Sequence, residues 1–335
     1  MKKMKRLSGI ILALVLVLSI TACNSGKAPA PEATQGTEAQ NGSGSDASGT
    51  DDAAEIPRVD RAGNTITLPE TVETIVSLAP ATTQVLCDLG LAASIVAVDS
   101  NSPQYAEGLS ADITQFNMME PDLEQITAMK PDLVLASTMS SQGGDDIFKA
   151  IKDAGICVAL LPTSNTIEDV KKDVQFIADC AGKPTEGKAL TDKMQEELYA
   201  VDAIGSTITD KKTVLFEISP LPYLYSFGSG VYLNEMIELI GAQNVLKDQE
   251  GWLSVTEESA LAANPDVVLT SDNFSNDDPA AEIKNRAGWE NVNAVKNGEV
   301  YYIDNASSSL PNHHIIEALK EMAEAVYPEA YGDID

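Results

Sequence analysis

The sequence predicts an α/β fold made of two similar α/β lobes with mainly parallel sheets, bridged by one long helix. Two observations support this prediction. First, the chain repeats itself: residues 124–137 align without gaps on residues 258–271, at an offset of 258 − 124 = 134, with seven of fourteen positions identical. Second, the two copies are separated by a stretch with helical periodicity and little strand signal. Alternating helices and short apolar runs favour parallel sheets.

Each copy of the repeat has the pattern of a capped helix, a Pro-Asp stop and a short apolar strand. Asp122 and Thr256 lie at matching N-cap positions, where an oxygen can accept a bond from a free backbone N–H group. A further strand and helix precede each copy, with the strands predicted at residues 74–78 and 213–217. The repeat therefore predicts two related lobes.

Two helical stretches lie between the lobes, each with one apolar face. The second follows Pro184, runs about twenty residues to Gly205 and leads at once into the first strand of lobe two, so it is the predicted interlobe helix. The two faces are Ile167, Val170, Val174 and Ile177, and Leu190, Met194, Leu198 and Val201. The predicted lobes and their connection are residues 56–164, 207–335 and 165–206.

The N-terminus has the pattern of an export signal. Four basic residues precede an apolar run from Leu7 to Ile20, which is short of the roughly 20 residues that a spanning helix needs. Ala22 then precedes Cys23, so we expect a signal peptide over 1–22, cleavage before Cys23 and lipid attachment to that cysteine. An uncleaved anchor is the alternative. Residues 24–55 contain no Val, Ile, Leu, Met or aromatic residue, so residues 23–55 are predicted to form a lipidated flexible tether.

Charge and cysteine content exclude some classes of partner. The chain has 22 basic and 51 acidic residues, and loss of the signal removes four basic residues, giving 18 − 51 = −33. Nucleic acid and anionic lipid head groups are therefore poor partners. Cys87, Cys157 and Cys180 remain after Cys23, with no spacing typical of a zinc site. A disulfide between Cys157 and Cys180 and buried free thiols both stay open.

The sequence contains no motif of a catalytic site or of a metal centre. The sequence has no GxSxG motif, no P-loop and no HExxH motif. With 51 acidic residues, no pair of acids can be singled out as a catalytic pair. We therefore do not expect an enzyme or a bound cofactor. His313 and His314 are the only imidazoles. On a helix their side chains would diverge by about 100°, so a metal site built from histidines is not expected. A solvated helix start after Pro311 is the predicted role of the pair.

Candidate ligand-binding residues follow the predicted strands, because ligands of open α/β sheets gather beyond the carboxyl ends of the strands. Two facing lobes would thus form a cleft. Scarce aromatic residues fall in the strand-end segments of lobe two, which suits a bulky organic ligand, although some could instead fill loop cores. The candidates are Pro80, Ala81, Thr82, Met118, Thr138 and Met139 in lobe one, and Tyr223, Tyr225, Trp252, Asn273 and Phe274 in lobe two.

Glu124 and Glu258 occupy equivalent positions in the two copies, in the first turn of each helix. Acids there are favoured by the helix dipole by about 0.3–1 kcal/mol, which is a sufficient structural reason for them. The functional alternative is one acid per lobe, placed to dock a two-fold symmetric partner.

Several motifs resemble one protein family. The segments Ile75-Val-Ser-Leu-Ala-Pro80, Asp88-Leu-Gly90, residues 122–135 and Gly251-Trp-Leu-Ser-Val-Thr-Glu-Glu258 resemble the solute-binding lipoproteins of ABC importers for cobalamin, ferric siderophores and haem. The resemblance covers the chain after about residue 56. It implies two lobes joined by a long helix, one ligand in a shallow cleft and modest closure. It also implies that Glu124 and Glu258 meet arginines of the paired permease subunits and that Trp252 is a cleft tryptophan.

One segment departs from the family pattern. Many members carry an Arg-Pro-Gly-Pro-like segment before the last helix, where this chain has residues 308–314, Ser-Ser-Leu-Pro-Asn-His-His. Basic residues are also nearly absent from the candidate cleft segments, which disfavours a strongly anionic siderophore. Cobalamin, haem or a neutral hydroxamate chelate suits the pattern better.

The expected protein is therefore a monomeric lipoprotein on the outer face of the cell membrane, held there by its lipid anchor. It captures a small-molecule metal chelate, either an iron chelate or a cobalamin-type corrinoid, and delivers it to an ABC importer permease dimer. The alternatives are a binding protein for a bare metal ion, a ligand-sensing surface receptor without a transport role, and an exported enzyme with a cleft between its lobes.

Overall fold

The structure of the protein is a computed structural model that describes residues 56–141 and 146–332. The predicted signal peptide, Cys23 and the predicted tether lie outside the described residues. Within the described residues, no helix combines the length and the hydrophobicity needed to cross a membrane.

Lobe one is a five-stranded parallel sheet in the order β3-β2-β1-β4-β5. Strands β1, β4 and β5 are buried on both faces almost throughout, which explains why they read as continuous apolar runs in the sequence. The strands are β1 (Ile75–Leu78), β2 (Ile95–Asp99), β3 (Thr114–Phe116), β4 (Leu133–Ser137) and β5 (Cys157–Leu161), and the helices are α1 (Pro80–Asp88), α2 (Leu123–Met129) and α3 (Lys149–Asp153).

Two consecutive helices, α4 (Ile167–Cys180) and α5 (Pro184–Gly205), connect the lobes. The predicted apolar faces are confirmed, since every residue of the α4 face is buried and the α5 face is buried or half-buried. Both helices belong to two cores. Ile167 and Val170 of α4 lie in the core of lobe two, whereas Val174 and Ile177 lie in that of lobe one. The interlobe helix α5 is thus accompanied by α4, which makes the connection a packed helical pair.

Lobe two contains a four-stranded parallel sheet in the order β11-β10-β6-β8 and a separate antiparallel pair, β7-β9. The pair β7-β9 was not predicted, and it contains two of the aromatic candidates, Tyr225 and Trp252. The strands are β6 (Thr213–Glu217), β7 (Tyr225–Phe227), β8 (Gln243–Asn244), β9 (Trp252–Ser254), β10 (Val267–Thr270) and β11 (Val300–Tyr302). The helices are α6 (Tyr232–Leu239), α7 (Glu257–Ala263), α8 (Pro279–Lys284), α9 (Asn293–Asn297), α10 (Asn305–Ser309), α11 (Ile315–Val326) and α12 (Pro328–Tyr331).

The two lobes repeat one arrangement, as the sequence predicts. Lobe one places its strands in the order β2-β1-β4-β5, and lobe two has β8-β6-β10-β11 in the corresponding places. The N-caps Asp122 and Thr256 are confirmed, because each side chain accepts a bond from the backbone N–H group three residues later. Each repeat helix also ends on a left-handed residue, Lys130 at φ 52° and Asn264 at φ 43°. The predicted α/β class with mainly parallel sheets is confirmed.

A carboxylate after each Pro anchors the strand that follows to the strand beside it. The Asp132 carboxylate accepts bonds from Thr74 N at 2.8 Å and Thr74 Oγ1 at 2.8 Å. The Asp266 carboxylate accepts bonds from Thr213 N at 3.0 Å and Thr213 Oγ1 at 2.7 Å. The same local contact therefore fixes the register of the central strand pair in both lobes.

Three cysteines of the described chain are free thiols. Cys157 and Cys180 are both buried in the core of lobe one, and burial raises the pKa of each thiol. The sequence left open a Cys157–Cys180 disulfide or two buried free thiols, and the structure has the free thiols.

Candidate ligand-binding cleft

A cavity of about 250 Å³ lies beyond the carboxyl ends of the strands of lobe one. The residues that follow β1, β3, β4 and β5 line it, so the wall is built as parallel sheets dictate. Five of the six lobe-one candidates contribute to this wall: Pro80, Ala81, Thr82, Met118 and Met139. Thr138 is half-buried and does not line the cavity, although its neighbours Ser137 and Met139 do.

The cavity has a polar floor that sequence reasoning missed. Asp173 of α4 lines it, accepts a bond from Ser164 Oγ at 2.7 Å and pairs with the guanidinium of Arg61. Burial raises the pKa of the Asp173 carboxyl, although the bonds from Arg61 and Ser164 oppose that rise. A signal was present in the sequence: Asp173 lies three residues after Val170, on the apolar face of α4, where a charged residue is unexpected.

Lobe two covers this cavity with one segment, residues 309–314, which we call the seam segment. Ser309, Leu310 and Pro311 line the cavity opposite the start of α1. Asn312 then bonds the side chain of Gln84 at 2.6 Å and lies within 3.4 Å of the Ala81 carbonyl oxygen. The two lobes therefore meet along α1. The cavity lies between them at the start of this helix.

Trp252 lies behind the seam segment, and it does not line the cavity. Its ring is half-buried in β9 and packs edge-on against Phe227 at 6.1 Å and Tyr232 at 6.3 Å between ring centroids. The Tyr232 hydroxyl donates to the Ser308 carbonyl oxygen at 2.7 Å. Trp252 is thus linked through one side chain to the residue that precedes the seam segment.

The remaining lobe-two candidates are spread over the surface of that lobe. Tyr225 is half-buried in β7. Tyr223 is 84% exposed and lines a separate groove with Leu224 and residues 254–257. Asn273 is exposed and Phe274 is 79% exposed. The structure therefore gathers the lobe-one candidates at one cavity and does not bring the lobe-two candidates to it.

Buried polar groups mark the carboxyl ends of β4 and β10. Ser140 Oγ, Ser271 Oγ and Asp272 Oδ2 are buried and have no hydrogen-bond partner within the described part of the chain. A buried polar group without a partner costs about 1–3 kcal/mol. None of these three residues lines the cleft cavity.

One cation is buried at the end of β6, but it is already neutralised. Arg286 forms a bidentate pair with Glu217, at 2.8 and 2.9 Å, and also pairs with Glu282. Its guanidinium lies 4.7 Å from the ring of Trp289. With two carboxylates on one guanidinium, this site offers no free positive charge to an anionic ligand.

A second groove, of about 490 Å³, lies between the flanks of α4, α5 and α6. It is larger than the cleft cavity, but four acids line it, and helix sides form it where strand ends would be expected. The two lobes and the carboxyl ends of four strands meet at the cleft cavity, which is therefore the candidate ligand site.

The prediction that His313 and His314 diverge is wrong. They lie in the turn that precedes α11, so the helical geometry does not apply, and their ring centroids are 4.3 Å apart. Both Nε2 atoms face Oδ2 of Asp88 in lobe one, His313 at 3.1 Å and His314 at 2.8 Å. The bond to Asp88 raises the pKa of His314 to about 9, against the opposing effect of burial, and a bond to Glu317 adds to the rise. Burial opposes the ionisation of Asp88, but the two imidazoles outweigh it and hold the Asp88 pKa far below its ordinary value.

Glu124 and Glu258 are exposed in the first turns of α2 and α7, in equivalent positions of the two lobes. Each lies two residues after its N-cap, Asp122 or Thr256, and both N-caps make the same hydrogen bond. The two carboxylates therefore have the same position in the first turn of their helices. Their role in docking stays a prediction.

Two α/β lobes, a packed helical connection and a cavity between them define a two-lobe solute-binding protein. The chain belongs to the periplasmic binding protein family, whose model matches residues 75–306. It is 30% identical over 274 residues to the Bacillus subtilis protein named "Uncharacterized ABC transporter substrate-binding lipoprotein YvrC", with 81% of this chain and 85% of that protein covered. It is 25% identical to a vitamin B12-binding protein of Vibrio parahaemolyticus, over 76% of this chain and 90% of that one.

A solved structure supports the same assignment. A crystal structure described as a possible iron-binding, periplasmic solute-binding protein from Staphylococcus epidermidis is 28% identical, with a TM-score of 0.67. It covers 77% of this chain and 100% of that chain. The family resemblance that the sequence motifs indicated is therefore confirmed.

Proposed function

We propose that this protein captures a metal chelate, either a cobalamin-type corrinoid or an iron chelate such as haem or a neutral siderophore, and delivers it to an ABC permease. The observation that carries the proposal is the cavity at the carboxyl ends of β1, β3, β4 and β5, closed by a segment of the other lobe. The vitamin B12-binding relative and the likeness to a possible iron-binding protein support the ligand class.

The lining of the cleft favours a ligand with little net negative charge. Prolines, alanine, leucine and two methionines dominate the cavity wall, and no lysine or arginine of the described chain is among the lining residues. Met118 and Met139 provide flexible, polarisable surface that can adapt to a large ring system. A tricatecholate siderophore or a small oxoanion would find no compensating cation there.

The cavity is smaller than the roughly 300–1,000 Å³ of typical ligand sites. A corrinoid or a haem therefore requires the seam segment to move away from α1. Because α4 and α5 each pack into both cores, we expect this opening to be small and to occur at the seam. Binding would then be reported by groups beside the seam segment, of which Trp252 is the useful one.

The first experiment is a fluorescence titration of the chain that begins at Asn24, with cobalamin, hemin, ferric citrate, a ferric hydroxamate and molybdate as the panel. Trp289 is fully buried in the core of lobe two and donates to Glu257 at 3.0 Å, so it should give a constant background. We expect one-to-one quenching by one chelate at micromolar concentration or below. The Trp252→Phe variant should lose that quenching while it still binds the chelate in calorimetry.

Calorimetry also provides the results that would refute the proposal. If no chelate of the panel binds wild-type protein in that assay, or if molybdate alone binds, the chelate assignment is wrong and the two-lobe fold remains. Tight binding of a free divalent ion that excludes every chelate would favour the bare-metal alternative.

Docking through Glu124 and Glu258 is the second part of the proposal. Two exposed carboxylates in equivalent positions of two similar lobes match a partner with two-fold symmetry. In cells that express the cognate permease, Glu124→Ala combined with Glu258→Ala should bind ligand normally and lose uptake. The control is Glu120→Ala with Glu329→Ala, which removes two exposed acids outside these helix starts. Unchanged uptake by the Glu124/Glu258 double variant would refute docking and favour a receptor without a transport role.

A further inference from the structure

Three metal-ligating side chains converge at the far end of the seam between the lobes. Asp88 is the last residue of α1 in lobe one, and His313 and His314 directly precede α11 in lobe two. One possible ligand atom from each residue lies within 4.8 Å of the others. This cluster is distinct from the cleft cavity, whose lining residues at the seam are Ser309, Leu310 and Pro311.

We propose that Asp88, His313 and His314 form a binding site for one divalent transition-metal ion, with Zn²⁺ as the best-matched ion. Two imidazole nitrogens and one carboxylate oxygen form a ligand set that zinc uses, and a water molecule would complete four-coordination. Zinc at about 2.0–2.1 Å from each ligand requires tetrahedral ligand atoms about 3.3 Å apart. The two Nε2 to Oδ2 distances, 3.1 and 2.8 Å, are already close to that spacing.

The surroundings of His314 are also those of a metal ligand. Its Nδ1 lies 2.8 Å from Oε1 of Glu317, so a carboxylate fixes the ring and favours the tautomer with the proton on Nδ1. When a metal ion replaces the proton that Nε2 shares with Asp88, that tautomer directs the Nε2 lone pair at the ion. Glu317 would act as a positioning residue, through its bond to His314.

The surroundings of His313 point to the same site. Only 12% of its side chain is exposed, and its Nδ1 is buried without a partner in the described residues. The contact with Asp88 is therefore what holds this ring in place. Two imidazoles aimed at one carboxylate oxygen must share it as donors, whereas a cation between the three groups would satisfy all of them.

A metal ion here would tie the lobes together. Asp88 belongs to lobe one and both histidines to lobe two, and Asn312 already bonds Gln84 one turn earlier along α1. The ion would fix the end of the seam opposite the cavity, so the seam segment would pivot about it when a ligand enters. The three ligand atoms lie outside the cavity lining, so their geometry does not depend on which solute fills the cleft.

The test is calorimetric titration with Zn²⁺ of the chain that begins at Asn24, prepared without a histidine tag. That chain includes all four hydrophobic cores of the described part. We expect one ion per chain. His313→Gln, His314→Gln and Asp88→Asn should each weaken binding at least tenfold, and Glu317→Gln should weaken it by about tenfold. The control is Asp248→Asn, whose side chain is 94% exposed, and it should change nothing.

Cobalt substitution distinguishes the site from diffuse binding by surface acids. Co²⁺ at this site should give intense visible absorption typical of four-coordination, and Zn²⁺ should displace it. Circular dichroism spectra of each variant establish that the fold is retained, and His313→Gln combined with His314→Gln provides a second test if Asp88→Asn unfolds. The proposal is overturned if wild type binds no stoichiometric ion, or if this double variant binds as wild type does.

Discussion

Loss of the Asp132 carboxylate should destabilise lobe one by an amount that the structure allows us to estimate. In Asp132→Ala, three hydrogen bonds to the carboxylate disappear: from Thr74 N, Thr74 Oγ1 and Glu73 N at 2.8, 2.8 and 3.0 Å. A net value of about 1 kcal/mol per bond gives about 3 kcal/mol. The site is near the surface, so water can bond some of the donors that the variant leaves without a partner. We therefore expect the free energy of unfolding to fall by about 2 kcal/mol.

The corresponding change in lobe two is Asp266→Ala. It removes bonds from Thr213 N, Thr213 Oγ1 and Asn293 Nδ2, at 3.0, 2.7 and 3.2 Å, so a similar loss of about 2 kcal/mol is expected. The two sites share no partner, so the losses should be independent, with about 2 kcal/mol lost in each lobe of the double variant.

Differential scanning calorimetry is the assay, because lobes with separate cores can unfold in separate transitions. A loss of about 2 kcal/mol corresponds to a decrease in Tm of about 6 °C. Asp248→Ala is the control, since its exposed carboxylate lies 3.8 Å from Lys247 and is expected to change the free energy of unfolding by less than about 0.5 kcal/mol.

The pH dependence gives the reasoning a second test. The bond from the Thr74 hydroxyl lowers the pKa of Asp132, and the bond from the Thr213 backbone lowers the pKa of Asp266. Stability from a lowered carboxyl pKa is present above the ordinary value of 3.8 and is lost as pH falls through the lower folded value. The difference between wild type and each variant should thus shrink in acid. An unchanged Tm at pH 7, or a difference that persists in acid, would refute the argument.

Three further predictions concern the packing of lobe two and the seam. Gly205→Ala would place a Cβ atom 1.9 Å from the Leu239 carbonyl oxygen. We therefore expect the free energy of unfolding, measured by thermal unfolding, to fall by about 3 kcal/mol. A Tm within about 1 °C of wild type would contradict this contact. Asn312→Ala removes the 2.6 Å bond to Gln84, and faster hydrogen exchange at the seam is expected, with unchanged exchange as the contrary result. Trp289→Phe should lower the free energy of unfolding in chemical denaturation by about 2 kcal/mol, because it removes buried volume and the indole bond to Glu257. An unchanged denaturation midpoint would contradict this prediction.

The repeated part of the fold was predictable because local chemistry specifies it. The N-caps Asp122 and Thr256 follow from side-chain type and position alone, and the structure has both. The apolar faces of α4 and α5 follow from helical spacing. Asp132 and Asp266 were recognised only as part of a helix stop, because their bonds to distant threonines depend on which strands become neighbours.

The cleft was predictable on one side only. Residues after the strands of lobe one line the cavity because parallel strands end at one edge, a rule that requires no tertiary detail. Trp252 and Tyr225 were assigned to strand-end loops, whereas they form part of an antiparallel pair that follows β6. The pairing of β7 with β9 joins residues about 25 positions apart, and neither strand is longer than three residues, so no periodicity could reveal it.

The seam segment is one of the features in which the two lobes differ, and this difference has a consequence for ligand specificity. The matched elements, from N-caps to strand order, give the two lobes similar sheets and helix starts. The seam segment breaks that symmetry, because lobe two sends residues 309–314 to α1, where they line the cavity and bond Gln84 and Asp88. The seam segment also lies within residues 308–314, where this chain departs from its family pattern. Substitutions of Ser309, Leu310 or Pro311, which line the cavity, should therefore change which solute is bound, whereas substitutions in the repeated elements should change how stably each lobe folds.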